Sequence, residues 1–198
     1  MKIPEINHQQ KSRLKAAPVQ RCAKMANLLR GVNVGKLYMA ADLAQLLRQT
    51  IDREIPELRA LTDDKAALAP RPGSWSPKQE LGHLIDSAAN NHMRFAVASI
   101  EGAYEGTSYT QDRWVEAHGY QDLPWMEITE LWYRYNLLLV YLVERIGEER
   151  MNNRCVVGGT AVTLHFLIED YVLHMQHHLD HVLSRPVVTP YPRIQTTH

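Results

Sequence analysis

The sequence predicts an all-α protein built as a four-helix bundle. Four stretches repeat apolar residues at helical spacing, two of them open on capping signals, and proline or glycine marks their ends. Each such helix has one apolar face. Four of them bury those faces most economically against one another.

From Ala40 onward, Leu43, Leu46, Leu47, Ile51 and Ile55 share a face, and Pro56 is expected to interrupt or kink that helix. Short helical turns follow as far as Pro70-Arg71-Pro72-Gly73, a clear breaker. The second helix has Ser76 as N-cap, Pro77 at its first position and Gln79 to complete a capping box. It should run to about Ile100 and stop before Gly102. A long loop from Gly102 to Leu123 comes next. The third helix begins near Pro124, carries Ile128, Leu131, Tyr135, Leu138, Leu142 and Ile146 on one side, and has Gly147 as its terminator. Its aromatics Trp125, Trp132, Tyr133 and Tyr135 read as core. A link around Val156–Ala161 is expected to be extended, and Thr163 caps a fourth helix ending by Pro186. Residues 1–38 show no sustained period and read as a loosely attached extension, residues 39–186 as the bundle, and residues 187–198 as a C-terminal tail.

Composition narrows the function. Across 198 residues, 22 acidic side chains balance 22 basic ones, so the basic stripe that phosphate-backbone binding needs is missing. Nucleic acid is excluded as a partner on that ground. No apolar run approaches the roughly 18 residues of a membrane span, and the N-terminus lacks the apolar core of a signal peptide. Two distant cysteines, Cys22 and Cys155, make no disulfide framework, which fits a reducing cytoplasm. Nothing beside Cys155 would lower its pKa, so it is a poor nucleophile.

The histidines stand out. There are ten, and His165, His174, His177, His178 and His181 crowd one short stretch. Histidines four apart on a helix point the same way and can share a metal. The fourth helix offers two such pairs, His174/His178 and His177/His181. Against the apolar face of Leu164, Leu167, Ile168, Tyr171, Met175 and Val182, the first pair lies on the shoulder and the second turns outward. A buried divalent site would therefore use His174 and His178. His83, at the edge of the stripe Leu81, Leu84, Ala88 and Phe95, is the best third ligand, and His92 points away from it. Three neutral imidazoles leave one position open for water or substrate. The same spacing also arises on helices with surface or hydrogen-bonded core histidines, and the residues alone leave both readings open.

Other polar residues follow the same faces. Asp86, Ser87 and Asn91 succeed His83 and could continue a polar line into a cavity, or simply form a solvated flank. Asp170, one turn before His174, could orient an imidazole. Tyr109 and Trp114 sit in a loop long enough to act as a lid. Arg94 and Arg113 are candidates for holding an anionic substrate.

The segments WSPKQELGHLIDSAANNHMRF at 75–95 and LHFLIEDYVLHMQHHLDHVL at 164–183, with YTQDRWVEAHGY at 109–120, resemble the DinB-like superfamily. The likeness extends from about residue 40 to 185. It implies a four-helix bundle with a long crossover connection, often a homodimer, with one divalent metal (zinc, nickel or iron) on His83, His174 and His178. One departure is Ala88, which stands where relatives commonly carry glutamate. The resemblance further implies a metal-dependent enzyme that activates a water or a thiol, for hydrolysis or thiol transfer on a small molecule such as a low-molecular-weight thiol. The competing class is a non-catalytic, metal-stabilised dimer acting as a stress-response or binding protein. Between His174 and His178 there is no glutamate of the H-E-x-x-H kind, which weighs against a protease-like hydrolase.

Overall fold

Local capping residues start two of the four long helices where the sequence predicts. The computed structural model describes residues 39–189 and residue 191; the expected extension over 1–38 and the far end of the expected tail lie outside the described residues. Helix α1 (Ala40–Ala60) is followed by the short α2 (Asp63–Ala66) and by α3 (Pro77–Glu101). The Ser76 side chain accepts from the Gln79 amide while the Gln79 side chain accepts from the Ser76 amide, so two orphan N–H groups are satisfied at once. Gly102 ends α3 at φ 85°, a left-handed conformation that costs glycine little. Strand β1 (Ala103–Gly106), helix α4 (Gln111–His118) and a 3-10 turn (Tyr120–Asp122) lead to α5 (Trp125–Val143). Strands β2 (Arg154–Val157) and β3 (Thr160–Thr163) precede α6 (Leu164–Val182), which the Thr163 hydroxyl caps by accepting from the Phe166 amide.

The long helices form a four-helix bundle. Helix α3 packs on α5 and α6, and α1 packs on the same two. Helices α1 and α3 therefore face each other across the bundle, as do α5 and α6, and the chain crosses between them through the segments 61–76 and 144–163. Trp125, Trp132, Phe95 and Tyr171 fill the centre with Leu43, Leu47, Leu81 and Leu139, all essentially without exposure. Helix α5 begins at Pro124, which has no side-chain cap to offer. Asp63 supplies one from α2, accepting from the Trp125 amide at 2.7 Å and pairing with Lys78 Nζ at 3.0 Å. Those two partners hold its carboxyl below the usual range.

Four expectations need correction. Pro56 does not end α1, which runs through it to Ala60. Gly147 does not terminate α5: the helix stops at Val143, and Gly147 sits at φ −67°. The buried side of α5 is Trp125, Ile128, Trp132, Asn136, Leu139 and Val143, leaving Leu131 and Leu138 about half exposed. This helix is apolar nearly all round, so periodicity admits more than one stripe, and the two tryptophans decide which is buried. The link near 156–161 is extended as expected, and it forms a true hairpin. Gly158 and Gly159 both take positive φ, 55° and 84°, the two-residue turn whose twist suits antiparallel strands, and β1 adds in parallel to β2. Finally, the segment expected as a loop from Gly102 to Leu123 contains β1 and α4.

Glu54 is fully buried between α1 and the chain after α6. Burial works to raise its pKa, but Arg185 and Arg53 outweigh it and hold the carboxyl below 4.5. Arg185 Nη1 lies 2.8 Å from Oε2, yet off hydrogen-bond alignment, so that oxygen receives charge without an aligned donor. Because the folded pKa is depressed, this pairing stabilises the protein above the unfolded pKa and is lost as pH falls through the folded one. Arg185→Ala should cost about 2 kcal/mol at pH 7, less than a fully buried pair because Arg53 remains and Arg185 is partly exposed. The melting-temperature gap to the parent protein should narrow as pH falls below 4.5 and through the depressed folded pKa of Glu54. A gap that does not narrow on acidification would show that Arg185 acts by packing or through its 2.6 Å pairing with Asp180 rather than through Glu54.

Gly82 lies inside α3, where glycine normally weakens a helix. A Cβ there would collide with the ring of Tyr120, which packs flat against the bare backbone. Gly82→Ala should therefore destabilise by about 1–3 kcal/mol, against the gain that alanine brings to an open helix site, measured by chemical denaturation.

Candidate metal centre

His83 and His174 are brought together by the packing of α3 on α6. His83 is fully buried and His174 is 7% exposed, and their Nε2 atoms lie 3.0 Å apart. His178, one turn further along α6, completes the group: ring centroids are separated by 4.7 Å from His83 and 4.5 Å from His174. One nitrogen from each ring falls within 4.8 Å of the others. Ligands around a tetrahedral divalent ion at about 2.1 Å would be roughly 3.4 Å apart, so small adjustments suffice.

The protonation chemistry suits such an ion. Burial holds the His83 pKa down to about 3, with repulsion from His178 adding to it, and His174 is depressed for the same two reasons. Both imidazoles are therefore neutral, the state that ligates. Two neutral nitrogens facing each other at 3.0 Å must share a proton or a cation.

The outer ring nitrogens are oriented by neighbours. His178 Nδ1 lies 2.7 Å from Glu80 Oε2; a carboxylate only accepts, so Nδ1 carries the hydrogen and Nε2 is left for the shared centre. His174 Nδ1 lies 3.3 Å from the Ser87 hydroxyl. His83 Nδ1 is buried without a hydrogen-bond partner, and its ring packs against Trp75 at 5.2 Å. A second group, Glu80 with His178 and His181, also has metal-ligand spacing. It includes the exposed His181, whose Nδ1 is 3.6 Å from Glu80, and it would need the His178 nitrogen already bonded to that carboxylate. The buried trio is the better-built cradle.

The remaining residues singled out in the sequence fall in different places. Ser87, Asn91, Tyr109 and Asp170 line a cavity of about 110 Å³ together with His174 and Arg94. Burial pushes the Tyr109 phenol up to about 12. Trp114 is outside the cavity lining and stacks on Tyr109 at 5.0 Å and His118 at 5.8 Å. Asp86 faces the 111–122 segment: it accepts from Tyr120 at 2.7 Å and lies 3.0 Å from His118 Nδ1, with burial raising its pKa against both contacts. Arg113 is exposed. His177 is half covered rather than outward, because the chain folds back after α6 and sets Tyr191 5.7 Å from it and 5.2 Å from His174. The expected tail thus contributes a wall of the cavity. Glu80 and Tyr191 are the site residues that sequence reasoning missed. Each meets its histidine across the tertiary fold, so no spacing along the chain announces it.

Residues 45–182 match the sequence profile of the DinB superfamily. A protein of Bacillus cereus and one of Bacillus mycoides, each named "Putative metal-dependent hydrolase", are 27% identical over 117 residues, covering 58% of this chain. The matched part spans 66% of the length of those relatives. The solved structure described as "YfiT from Bacillus subtilis is a probable metal-dependent hydrolase with an unusual four-helix bundle topology" superposes with a TM-score of 0.67 at 19% identity, over 76% of this chain and 88% of that one. No helix among the described residues is long and apolar enough to cross a membrane. With the profile match extending over well more than half of its length, the chain belongs to the DinB superfamily.

Proposed function

We propose that this protein is a metal-dependent enzyme whose one divalent ion sits on His83, His174 and His178. The observation that supports it best is the convergence of three imidazoles, two of them buried and held neutral, on one point between α3 and α6. The names of the Bacillus relatives point the same way. A divalent ion bound there supplies Lewis acidity and lowers the pKa of a water or thiol toward neutrality. The chain's own residues do the rest. Glu80 and Ser87 orient two of the ligands, the aromatic walls limit water, and the adjoining cavity holds a small molecule next to His174. The reaction class we propose is hydrolysis or thiol transfer. Zinc or nickel fits an all-imidazole donor set best, and iron is the remaining candidate.

Protein purified without an affinity tag should contain one equivalent of divalent metal by elemental analysis. Single alanine replacements at His83, His174 or His178 should each remove it, whereas His181→Ala should leave it in place. Chelation should lower the melting temperature of the parent by about 5–10 °C, the mass-action effect of losing a ligand held near a hundredfold above its dissociation constant. The three alanine variants should not respond to chelator. Loss of metal in His181→Ala alone would move the site to the outer group. Metal-loaded protein inert toward ester, amide and thiol-acceptor panels alike would sink the enzyme reading and leave the metal reading intact.

Glu80→Gln keeps the shape but weakens the acceptor that fixes His178. It should reduce metal affinity by about 10–100-fold at unchanged stoichiometry, read by competition with a chelating dye. Affinity equal to the parent's would mean that Glu80 does not orient the ligand.

A further inference from the structure

Arg94 is 8% exposed. Its Nε is buried with no hydrogen-bond partner, and Nη1 donates only to Asn91 Oδ1 at 3.3 Å. Among the described residues no carboxylate lies within ion-pair distance of it. Arginines this buried are almost always paired, because a desolvated guanidinium without an anion is costly. Yet this one lines the cavity that also reaches His174. A planar guanidinium reads a carboxylate through two parallel hydrogen bonds.

We propose that the cavity takes a substrate bearing a carboxylate, which binds the Arg94 guanidinium while the reacting group lies beside His174. The second half of this statement rests on the proposed metal centre; the first half does not. The bond to Asn91 draws the Arg94 head group back toward the level of that residue, two turns of α3 beyond His83. At about 1.5 Å of rise per residue, the carboxylate and the reacting group are on the order of 10 Å apart. A monoanion is favoured over a phosphate dianion, because Arg94 offers one planar fork and a single positive charge.

The test uses the full chain labelled with ¹⁵N, in zinc-loaded and chelator-treated form, with butyrate as probe and butyramide as its uncharged control. The Arg94 Nε–Hε resonance, identified by its absence in Arg94→Lys, should shift on titration with butyrate in both forms and stay still with butyramide. Arg94→Lys, which keeps the charge but loses the fork, should bind butyrate about tenfold more weakly, and Arg94→Gln should not bind it. A resonance that does not move, or butyrate binding at parental strength in both variants, overturns the proposal. So does tighter binding of inorganic phosphate than of butyrate at the same resonance. Butyrate that binds only in the zinc-loaded form, indifferent to residue 94, would be a metal ligand: the Arg94 assignment then falls and the metal centre stands. A protein that takes up no zinc but still shows the butyrate shift does the reverse, upholding Arg94 as the carboxylate site while the metal centre falls. Should Arg94→Gln fail to fold by circular dichroism, the parental shift and the lysine variant decide.

Discussion

The site depends on one packing contact, that of α3 against α6, since it alone brings His83 to within 3.0 Å of His174. Apolar side chains of both helices are buried with it, Leu81, Leu84, Ala88 and Phe95 on α3 and Leu167, Tyr171 and Met175 on α6, and Phe95 packs edge-on against Tyr171 at 5.9 Å. Burial on that scale stabilises by some tens of cal/mol for each Å² removed from water, and it offsets the cost of placing imidazoles among apolar side chains. The same burial keeps two of those imidazoles neutral. A donor set for a metal is therefore a by-product of the core that holds the bundle together, and its ligands are more rigid than a loop could make them.

Where structure follows from neighbours in sequence, the chain can be read directly. Ser76, Pro77 and Gln79 start α3, Gly102 stops it, and Thr163 starts α6, each through bonds that span three or four residues. The histidine trio is legible for a related reason, because the shoulder position of His174 and His178 is a matter of helical angle. The Gly158-Gly159 pair is also a local signal, and it marks a hairpin that periodicity alone leaves as a link. The errors lie elsewhere. Pro56 breaks nothing, since the packing of α1 on both α5 and α6 holds that helix together across one missing hydrogen bond. On α5 the apolar residues surround the axis, so choosing a face requires knowing what Trp125 and Trp132 pack against. Glu80 and Tyr191 require the fold itself.

Two carboxylates near the site illustrate how position divides labour among like groups. Glu80 and Asp86 are six residues apart on α3, on different sides of it. Glu80 meets His178 and points that ring at the centre. Asp86 meets Tyr120 and His118 and ties the 111–122 segment to the bundle, the same segment whose neighbour Tyr109 walls the cavity. One carboxylate positions a ligand, and the other positions the cover.

The polar line along α3 has a direction, and that direction bears on the metal. Arg94 can only donate, so the oxygen of Asn91 must face it and the amide nitrogen must face the other way. That nitrogen donates to Ser87, to its carbonyl at 2.9 Å and its hydroxyl oxygen at 3.3 Å. The same Ser87 hydroxyl lies 3.3 Å from His174 Nδ1. When the Ser87 oxygen accepts there, Nδ1 carries the hydrogen. The lone pair of His174 then sits on Nε2, where His83 and His178 converge. A chain of hydrogen bonds thus runs along α3 from the Arg94 guanidinium through Asn91 and Ser87 to the His174 imidazole, so the cavity wall and the histidine trio share one polar network.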